Sequence, residues 1–568
     1  MEDSVMPLIS IEHLKYKYPG MDRLVLDDIS LSIEKGEFIG IIGKNGAGKS
    51  TLSQAIIGLV PQFYNGAYGG RVLVDGLCAE SVPVGEMCEH VGLVFQNPFN
   101  QLSGAKDTVY GEVAFGLQNL GVEREEMKTR VERVLKQLDI WQYRDRNPFD
   151  LSGGQMQRVA IAGILVMQPD VLILDEPTSQ LDPQGTEEVF RVVDELTKSG
   201  ITIIMIEQKL EKMADYCDRL ILMHEGKVVD FDTPERIFSR DDLEEMGVQP
   251  PAFTRICRQM GWKQPDGTYP ATLAETLRVF DAHKTDENWK EKFELFQRTD
   301  HQPDAPKRDT MQPVNAASQS IFRVSDLGFS YTKEAEIFDH LNLCLDDRAT
   351  AIIGQNGAGK TTLVRLLKGL LKPVSGEIYF RNQDISGKTV AMLASDIGYV
   401  FQNPDDQIFK YHVLDEVMFG PLNIGMDEKQ ARETAKKALE LMGLQGKEEE
   451  NPYDLEMSER KMVAIASVLA MDTDVIILDE PIIAQDHEGK KRIGKMIREL
   501  SKNGRLVLAI LHDMDFVAEY FERVIVMAHG RILADGHADK IFRQDAVLEE
   551  AKLQKPYITQ LYERLMLQ

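Results

Sequence analysis

Two stretches of the sequence place glycines, a lysine and a hydroxyl residue at the spacing needed to hold a chain of phosphates. Both fit the pattern G-x-x-x-x-G-K-[S/T], in which glycines let backbone N–H groups close around phosphate oxygens. The lysine would reach the β- and γ-phosphates, and the hydroxyl would complete the shell of a Mg²⁺ ion. We therefore predict two nucleotide-binding phosphate loops. The first is Gly43, Lys44, Asn45, Gly46, Ala47, Gly48, Lys49 and Ser50, followed by Thr51, and the second is Gly354, Gln355, Asn356, Gly357, Ala358, Gly359, Lys360 and Thr361, followed by Thr362.

The second loop lies between an apolar run and a helical pattern. Residues 349–353 (Ala-Thr-Ala-Ile-Ile) precede it, and residues 362–368 follow it with leucines at helical spacing. A buried strand, a glycine-rich loop and a helix in this order would place the phosphates at a helix N-terminus, where backbone N–H groups are free to bind anions. This context favours a nucleotide site over a glycine-rich turn that binds nothing.

Matching segments show that the chain contains one unit twice. Val-Phe-Gln-Asn-Pro occurs at 94–98 and at 400–404, and Ile-Leu-Asp-Glu-Pro ends the segments 172–177 and 476–481. Repeats of this length indicate duplicated domains rather than a solenoid. Within each copy, apolar strands alternate with helical patterns, which predicts an α/β fold with a mostly parallel sheet.

The two domains are expected at residues 1–262 and 319–568, joined by residues 263–318. Within the joining segment, residues 271–282 and 288–297 are predicted to form short helices. Residues 298–320, with prolines at 303, 306 and 313, are predicted to form an extended polar linker. A joining segment of this length permits the two domains to pair within one chain.

Composition excludes several classes of protein. Lys and Arg number 65 against 91 Asp and Glu, a formal net charge of −26, which argues against nucleic-acid binding and against a polybasic lipid anchor. No apolar run approaches the roughly 20 residues that span a bilayer, and the N-terminus lacks the features of a secretory signal. The five cysteines form no C-x-x-C pair, so a disulfide framework or zinc ribbon is not expected. We expect a soluble, cytoplasmic chain.

Polar residues recur at the ends of apolar runs in both halves. An acid at the carboxyl end of a buried strand lies in the ligand crevice of an open α/β sheet, so the aspartates are predicted to hold Mg²⁺ through water. The glutamates that follow them are candidates to polarise an attacking water. The glutamines precede loops and are predicted to contact Mg²⁺ or that water. These positions are Gln96 and Gln402, Asp175 and Asp479, and Glu176 and Glu480.

Tyr18 and Tyr331 occupy equivalent places ahead of the two phosphate loops. An aromatic ring there is able to stack on a nucleotide base, although a single tyrosine at such a position is more often part of the core. The recurrence beside both loops favours the base-stacking interpretation.

The stretch 151–155, Leu-Ser-Gly-Gly-Gln, completes a set of motifs that resembles the ATP-binding-cassette (ABC) ATPases. The resemblance covers nearly the whole chain, twice. The pattern Val-x-x-Glu-Val-x-Phe-Gly at 109–116 and 413–420, with the tails at 247–251 and 553–556, is similar to the ATPase components of energy-coupling-factor (ECF) importers, here with both halves fused. The signature residues are Ser152, Gly153, Gly154 and Gln155.

The resemblance implies two tandem P-loop domains, each with a mostly parallel sheet core, a helical subdomain and an antiparallel β portion. It implies ATP and Mg²⁺ as ligands, and a signature stretch that faces the γ-phosphate held by the other domain in a head-to-tail pair. It also implies a place at the cytoplasmic face of the cell membrane. The expected partners are a transmembrane coupling protein and a small substrate-binding membrane protein, and the expected substrate is a vitamin, a vitamin precursor or a transition-metal ion.

The two halves differ at two positions of this pattern. The second half has Leu-Glu-Met-Ser-Glu at 455–459 where the first has the signature stretch, and a carboxylate aimed at a phosphate would repel it. The first half has Gln208 where the second has His512, the counterpart of the family's switch histidine. In the head-to-tail arrangement both departures fall in the site built on the first phosphate loop. We therefore expect one consensus site, with Glu480 and His512 as catalytic residues, and one degenerate site containing Glu176 and Gln208.

Two other functions fit parts of the sequence. A soluble twin-cassette ATPase acting on ribosomes would also carry two domains, but a long charged helical linker and two intact signatures would be expected there. An ATP-gated scaffold without turnover would require the second site to be inactive as well.

Overall fold

The structure, a computed structural model, describes residues 6–283, 289–291, 293, 320–332 and 336–567. It divides into two compact units, Met1–Trp289 and Lys290–Gln568. The predicted α/β fold is confirmed, because each unit contains a mostly parallel sheet, a smaller antiparallel sheet and helices. Within the described residues, no helix is both long and apolar enough to cross a lipid bilayer.

The first unit contains two sheets. The four-stranded antiparallel sheet has the order β2-β1-β4-β5, and the six-stranded sheet has the order β10-β9-β3-β8-β7-β6, parallel except for β10. The strands are β1 Ile9–Lys17, β2 Leu26–Ile33, β3 Phe38–Ile42, β4 Ala67–Val74, β5 Leu77–Cys78, β6 Val91–Val94, β7 Val171–Asp175, β8 Thr202–Ile206, β9 Arg219–His224 and β10 Lys227–Asp232.

Helices of the first unit follow the strands in the order expected for an α/β domain, and α4, α5 and α6 pack together as the predicted helical subdomain. The helices are α1 Lys49–Ile56, α2 Leu59–Gln62, α3 Val84–Met87, α4 Val109–Asn119, α5 Arg124–Gln137, α6 Gly153–Leu165, α7 Pro183–Lys198, α8 Leu210–Tyr216, α9 Pro234–Phe238, α10 Ala252–Met260 and α11 Leu273–His283, with 3₁₀ turns at Pro98–Asn100, Trp141–Tyr143 and Pro148–Asp150.

The second unit repeats this plan. Its antiparallel sheet has the order β12-β11-β14-β15, and its larger sheet has the order β16-β17-β18-β13-β19-β20, parallel except for β20. The strands are β11 Phe322–Ser330, β12 Glu336–Leu345, β13 Thr350–Ile353, β14 Ser375–Phe380, β15 Gln383–Asp384, β16 Ile397–Val400, β17 Val475–Asp479, β18 Leu506–Ile510, β19 Arg523–Ala528 and β20 Arg531–His537. The helices are α12 Lys360–Leu367, α13 Val413–Asn423, α14 Glu428–Leu441, α15 Met457–Leu469, α16 His487–Lys502, α17 Met514–Tyr520, α18 Ala538–Ile541, α19 Asp545–Glu550 and α20 Tyr557–Leu567, with 3₁₀ turns at Pro404–Asp406 and Pro452–Asp454.

Each larger sheet is buried on both faces. In the first unit, Phe38 and Ile42 of β3 belong to a core shared with α4 to α7, whereas Ile39 and Ile41 belong to a core shared with the antiparallel sheet. Side chains alternate between the two faces of a strand, and both faces of β3 are apolar. The loops that follow β3 and its parallel neighbours leave the sheet at the edge where the strands have their carboxyl ends. The phosphate loop and the strand-end acids are therefore positioned by a rigid, fully covered scaffold.

The first unit extends beyond the predicted boundary at 262. The predicted helix over 271–282 is observed as α11, and it packs within the first unit, where Phe280 lies 5.5 Å from Trp262 between ring centroids. Thr254 also donates a hydrogen bond of 2.8 Å to the carbonyl of Pro270, which fixes the connection between α10 and α11. The predicted helix over 288–297 and the linker over 298–320 lie mostly outside the described residues.

Candidate functional site

The two phosphate loops have the same geometry. Gly48 and Gly359 form the N-caps of α1 and α12 with φ of 98° and 96°, in the left-handed region that glycine tolerates best. A Cβ on Gly43 would lie 2.3 Å from the Met223 carbonyl oxygen, so the loop passes too close to a neighbouring strand for a larger residue. These features leave the backbone N–H groups at the two helix N-termini arranged to bind phosphate.

Each loop lysine is folded back over its own loop. Lys49 Nζ donates hydrogen bonds of 2.9 Å to the carbonyls of Gly43 and Lys44. Lys360 Nζ donates to the carbonyls of Gly354 and Gln355 at 2.8 and 2.9 Å. The ammonium groups are thus held at the mouths of the loops, where their charge would meet a phosphate oxygen.

The two predicted base-stacking tyrosines lie at equivalent positions. The Tyr18 hydroxyl is 3.3 Å from Thr51 Oγ1, and the Tyr331 hydroxyl is 3.2 Å from Thr362 Oγ1. Each ring is therefore fixed beside the first turn of the helix that follows its phosphate loop. Tyr331 is 53% exposed, which leaves its ring accessible to a base.

In the second unit, the three predicted residues Glu480, Gln402 and His512 meet. His512 Nε2 lies 3.0 Å from Glu480 Oε1, and Gln402 Nε2 donates to Glu480 Oε2 at 3.1 Å. Burial by itself would raise the pKa of Glu480, but the charge and hydrogen bond of His512 lower it, and the net shift is downward. Glu480 also has φ of 48°, a backbone conformation that side-chain-bearing residues adopt rarely and that is often found at functional sites.

In the first unit, Glu176 accepts hydrogen bonds from two side-chain amides. Gln96 Nε2 and Gln208 Nε2 donate to its two carboxylate oxygens at 2.6 and 2.7 Å. A further buried acid, Glu207, lies close by and accepts hydrogen bonds from Thr178 Oγ1 and from the Gln208 backbone N–H. Burial, followed by the charge of Glu207, raises the pKa of Glu176 to about 7, so the two glutamates differ although their sequence motifs match.

The strand-end aspartates also differ between the units. Burial raises the pKa of Asp175, which hydrogen-bonds Ser50, the hydroxyl residue of its phosphate loop. Asp479 is 1% exposed and accepts a hydrogen bond of 2.9 Å from the Tyr399 hydroxyl at Oδ2. In the part of the chain that the structure describes, the buried Asp479 Oδ1 has no hydrogen-bond partner. An unpaired carboxylate oxygen beside a phosphate loop fits the oxygen-rich shell that Mg²⁺ prefers.

Three residues around Asp479 were not singled out in the sequence. Lys461, Tyr399 and Arg365 carry polar groups towards Asp479, and the matching residues of the first unit are Gln157, Leu93 and Gln54. The available signal was the difference between the two halves at aligned positions. A lysine or arginine in a helix is usually solvated, so the pattern alone did not suggest these contacts.

The signature stretches begin helices in both units, but their caps differ. Ser152 Oγ accepts from the Gln155 N–H at 3.4 Å, and Gln155 Oε1 accepts from the Ser152 N–H at 3.2 Å, which forms a capping box. Gln155 also donates to the Tyr143 hydroxyl at 3.1 Å. In the second unit Glu456 is the N-cap of α15 and its side chain makes no capping hydrogen bond. The intact stretch is therefore held in one conformation by its own side chains.

Each unit carries a phosphate loop and strand-end carboxylates on an α/β fold, and in the first unit a helix begins at Leu-Ser-Gly-Gly-Gln. These features define the class of ABC ATPases, and the chain belongs to the ABC transporter family. The family profile described as "ABC transporter" matches residues 26–179 and 338–483. A relative from Methanosarcina acetivorans, named as an ABC transporter ATP-binding protein, is 39% identical over 97% of this chain and 89% of its own length. A relative of the same description from Caldanaerobacter subterraneus subsp. tengcongensis is 36% identical over 98% of this chain and 96% of its own.

Among solved structures, cbiO1 from Clostridium perfringens is described as part of the ABC transporter complex cbiONQ. It is 35% identical, covers 45% of this chain and 99% of its own, and superimposes with a TM-score of 0.39.

Proposed function

We propose that this protein is the ATP-hydrolysing, energy-coupling subunit of an ECF-type importer for a micronutrient: a vitamin, a vitamin precursor or a transition-metal ion. Membership of the ABC transporter family and the full-length relatives named as ABC transporter ATP-binding proteins support the transport role. The ECF assignment is supported by the patterns at 109–116 and 413–420. The partners would be a transmembrane coupling protein and a small substrate-binding membrane protein, at the cytoplasmic face of the membrane.

We further propose that the nucleotide at the second phosphate loop is hydrolysed and that the nucleotide at the first is mostly retained. The observation that carries this proposal is the difference in partners of the two glutamates. Glu480 is bonded to His512, whereas Glu176 is bonded to two amides and lies beside buried Glu207. A carboxylate must be ionised to accept a proton from water. His512 acts to lower the pKa of Glu480 and so keeps it ionised, whereas burial and the charge of Glu207 raise the pKa of Glu176 to about 7 and so favour its protonated form near neutral pH.

In this proposal, each residue of the second unit has a defined part in the reaction. Glu480 would orient the attacking water, since its oxygens are fixed by Gln402 and His512. Lys360 and the loop N–H groups would bind the β- and γ-phosphates. Thr361, Gln402 and Asp479 would hold Mg²⁺, which neutralises developing charge on the phosphates when bound. The first unit would bind ATP and Mg²⁺ with Ser50, Gln96 and Asp175.

The two isosteric variants Glu480→Gln and Glu176→Gln test this assignment directly. Glu480→Gln should lower steady-state phosphate release by roughly 100-fold or more, because it removes the group that accepts the proton. Glu176→Gln should lower it by less than about 3-fold. As a control, equilibrium fluorescence should show that each variant still binds ATP. Equal loss of activity in both variants would refute the assignment.

The membrane role is separable from the ATPase assignment. Affinity purification of the tagged protein from solubilised membranes should recover hydrophobic membrane proteins and not ribosomal particles. Recovery with ribosomes would favour the alternative of a soluble twin-cassette ATPase acting on translation. Absence of any phosphate release by the wild-type protein in its membrane complex would favour an ATP-gated scaffold.

A further inference from the structure

Lys461 is a buried lysine beside the nucleotide site of the second unit. It lies on α15, is 1% exposed, and its Nζ donates to three backbone carbonyls. Two of them belong to Phe401 and Gln402 in the loop after β16, at 2.8 and 2.7 Å, and the third belongs to Asp479 at the end of β17, at 3.1 Å. All three N–H donors of the ammonium are therefore used.

Burying this ammonium is costly, and the position does not require it for packing. Burial lowers the pKa of Lys461 to about 8, although the negative charges of Asp479 and Glu480 act to raise it. At the matching position of the first unit, Gln157 is equally buried at 1% exposure, and its Nε2 has no hydrogen-bond partner among the described residues. A neutral side chain of similar length thus fits the same place in the fold. A buried charge is tolerated where it is paired or hydrogen-bonded, and the three carbonyls meet that need for Lys461.

The three carbonyls belong to the segments that carry the predicted Mg²⁺ and water ligands. Gln402 lies on the loop after β16, and Asp479 and Glu480 lie at the end of β17. The Asp479 carboxylate is also held by the Tyr399 hydroxyl at 2.9 Å. Asp479 is therefore fixed through its backbone by Lys461 and through its side chain by Tyr399. The first unit has Gln157 and Leu93 at these positions.

We propose that Lys461 is a positioning residue for ATP hydrolysis, which ties the Gln402 loop to the carboxyl end of β17 and so sets the separation of the Mg²⁺ and water ligands in the second unit. The proposal rests on the assignment of hydrolysis to that unit. Lys461 touches no reacting atom; it acts through Gln402 and Asp479. Since it stands on α15, it also joins the helical subdomain of the second unit to the edge of the sheet, a connection that Gln157 does not provide in the first unit.

The test variant is Lys461→Gln, which installs the residue that the first unit carries, buried, at the matching position 157. Loss of a group that orients metal ligands typically costs 10- to 100-fold in activity or metal affinity. We expect kcat for ATP hydrolysis to fall roughly 10-fold or more, KM for ATP to change less than about 3-fold, and the half-saturating Mg²⁺ concentration to rise roughly 3-fold or more. The matched control Gln157→Met should change kcat by less than about 2-fold.

A second measurement separates this proposal from the assignment of hydrolysis. In a Glu480→Gln background, the Mg²⁺ dependence of ATP binding is compared with and without Lys461→Gln, so that no turnover is needed. If Lys461→Gln shifts ATP binding to higher Mg²⁺ concentrations, the role of Lys461 is supported. This holds even if Glu480→Gln leaves phosphate release intact, since intact release would refute only the assignment of hydrolysis to the second unit. An unchanged kcat and Mg²⁺ requirement would overturn the proposal. A fall in kcat that accompanies a lower Tm without a Mg²⁺ shift would also overturn it, because it would show a purely structural role.

Discussion

His512 offers a sharp test of how the second unit differs from the first. Its Nε2 lies 3.0 Å from Glu480 Oε1, and the two side chains are only 12% and 10% exposed. The variant His512→Ala removes the imidazole. Of the two side-chain contacts of Glu480 given above, it leaves the one from Gln402 Nε2 at 3.1 Å. His512→Gln, which copies Gln208 of the first unit, keeps an amide donor and loses the ability to carry charge.

The size of the effect follows from the kind of hydrogen bond. A hydrogen bond to a charged group contributes about 1.5–3 kcal/mol, roughly twice a neutral one. Because tenfold in rate corresponds to about 1.4 kcal/mol, His512→Ala should lower kcat by roughly 10- to 100-fold. His512→Gln should lower it by about half as much on the free-energy scale, or roughly 3- to 10-fold.

The measurement is steady-state phosphate release at saturating ATP, with Gln208→Ala as the matched change in the first unit. Gln208→Ala should lower kcat by less than about 3-fold, because in the proposal the first site mostly retains its nucleotide and contributes little to turnover. If Gln208→Ala were as damaging as His512→Ala, or if His512→Gln were more damaging than His512→Ala, the reasoning from the partners of the two glutamates would be refuted.

Three further predictions concern stability and binding. Gly354→Ala should abolish ATP binding at the second loop, because the new Cβ would lie 2.1 Å from the Met527 carbonyl oxygen. Binding is measured by fluorescence in a protein that also carries Lys49→Ala in the first loop. Burial lowers the pKa of Lys368 to about 8, so folding disfavours its charged form and stability should rise as pH increases from about 8 to 10; urea unfolding of Lys368→Met should show a flatter pH dependence over that range. Ser152→Ala should cost about 1 kcal/mol in urea unfolding by removing the cap of α6.

Much of the fold could be predicted from local patterns. Apolar runs before the phosphate loops and before Asp-Glu-Pro gave the central strands, because a strand covered on both faces must be apolar throughout. The helix over 271–282 was also predicted, as its apolar residues recur at helical spacing. Its place in the first unit was not predicted, since an amphipathic pattern shows that a helix has a buried face but does not show which neighbour covers it.

The sequence by itself determined the family, the duplicated architecture and the positions of the phosphate loops, Gln96, Gln402 and the strand-end acids, because these depend on short segments in a fixed order. The sequence also showed that Gln208 stands where the second half has His512, but only the tertiary structure showed which groups surround each glutamate. Glu176 and Glu480 have matching motifs, but buried Glu207 lies near the first and His512 contacts the second. Lys461 is an ordinary helix residue in the sequence and a buried donor to three carbonyls in the structure. The strength of a charge depends on the groups and the solvent around it, and residues far apart in the chain supply those surroundings.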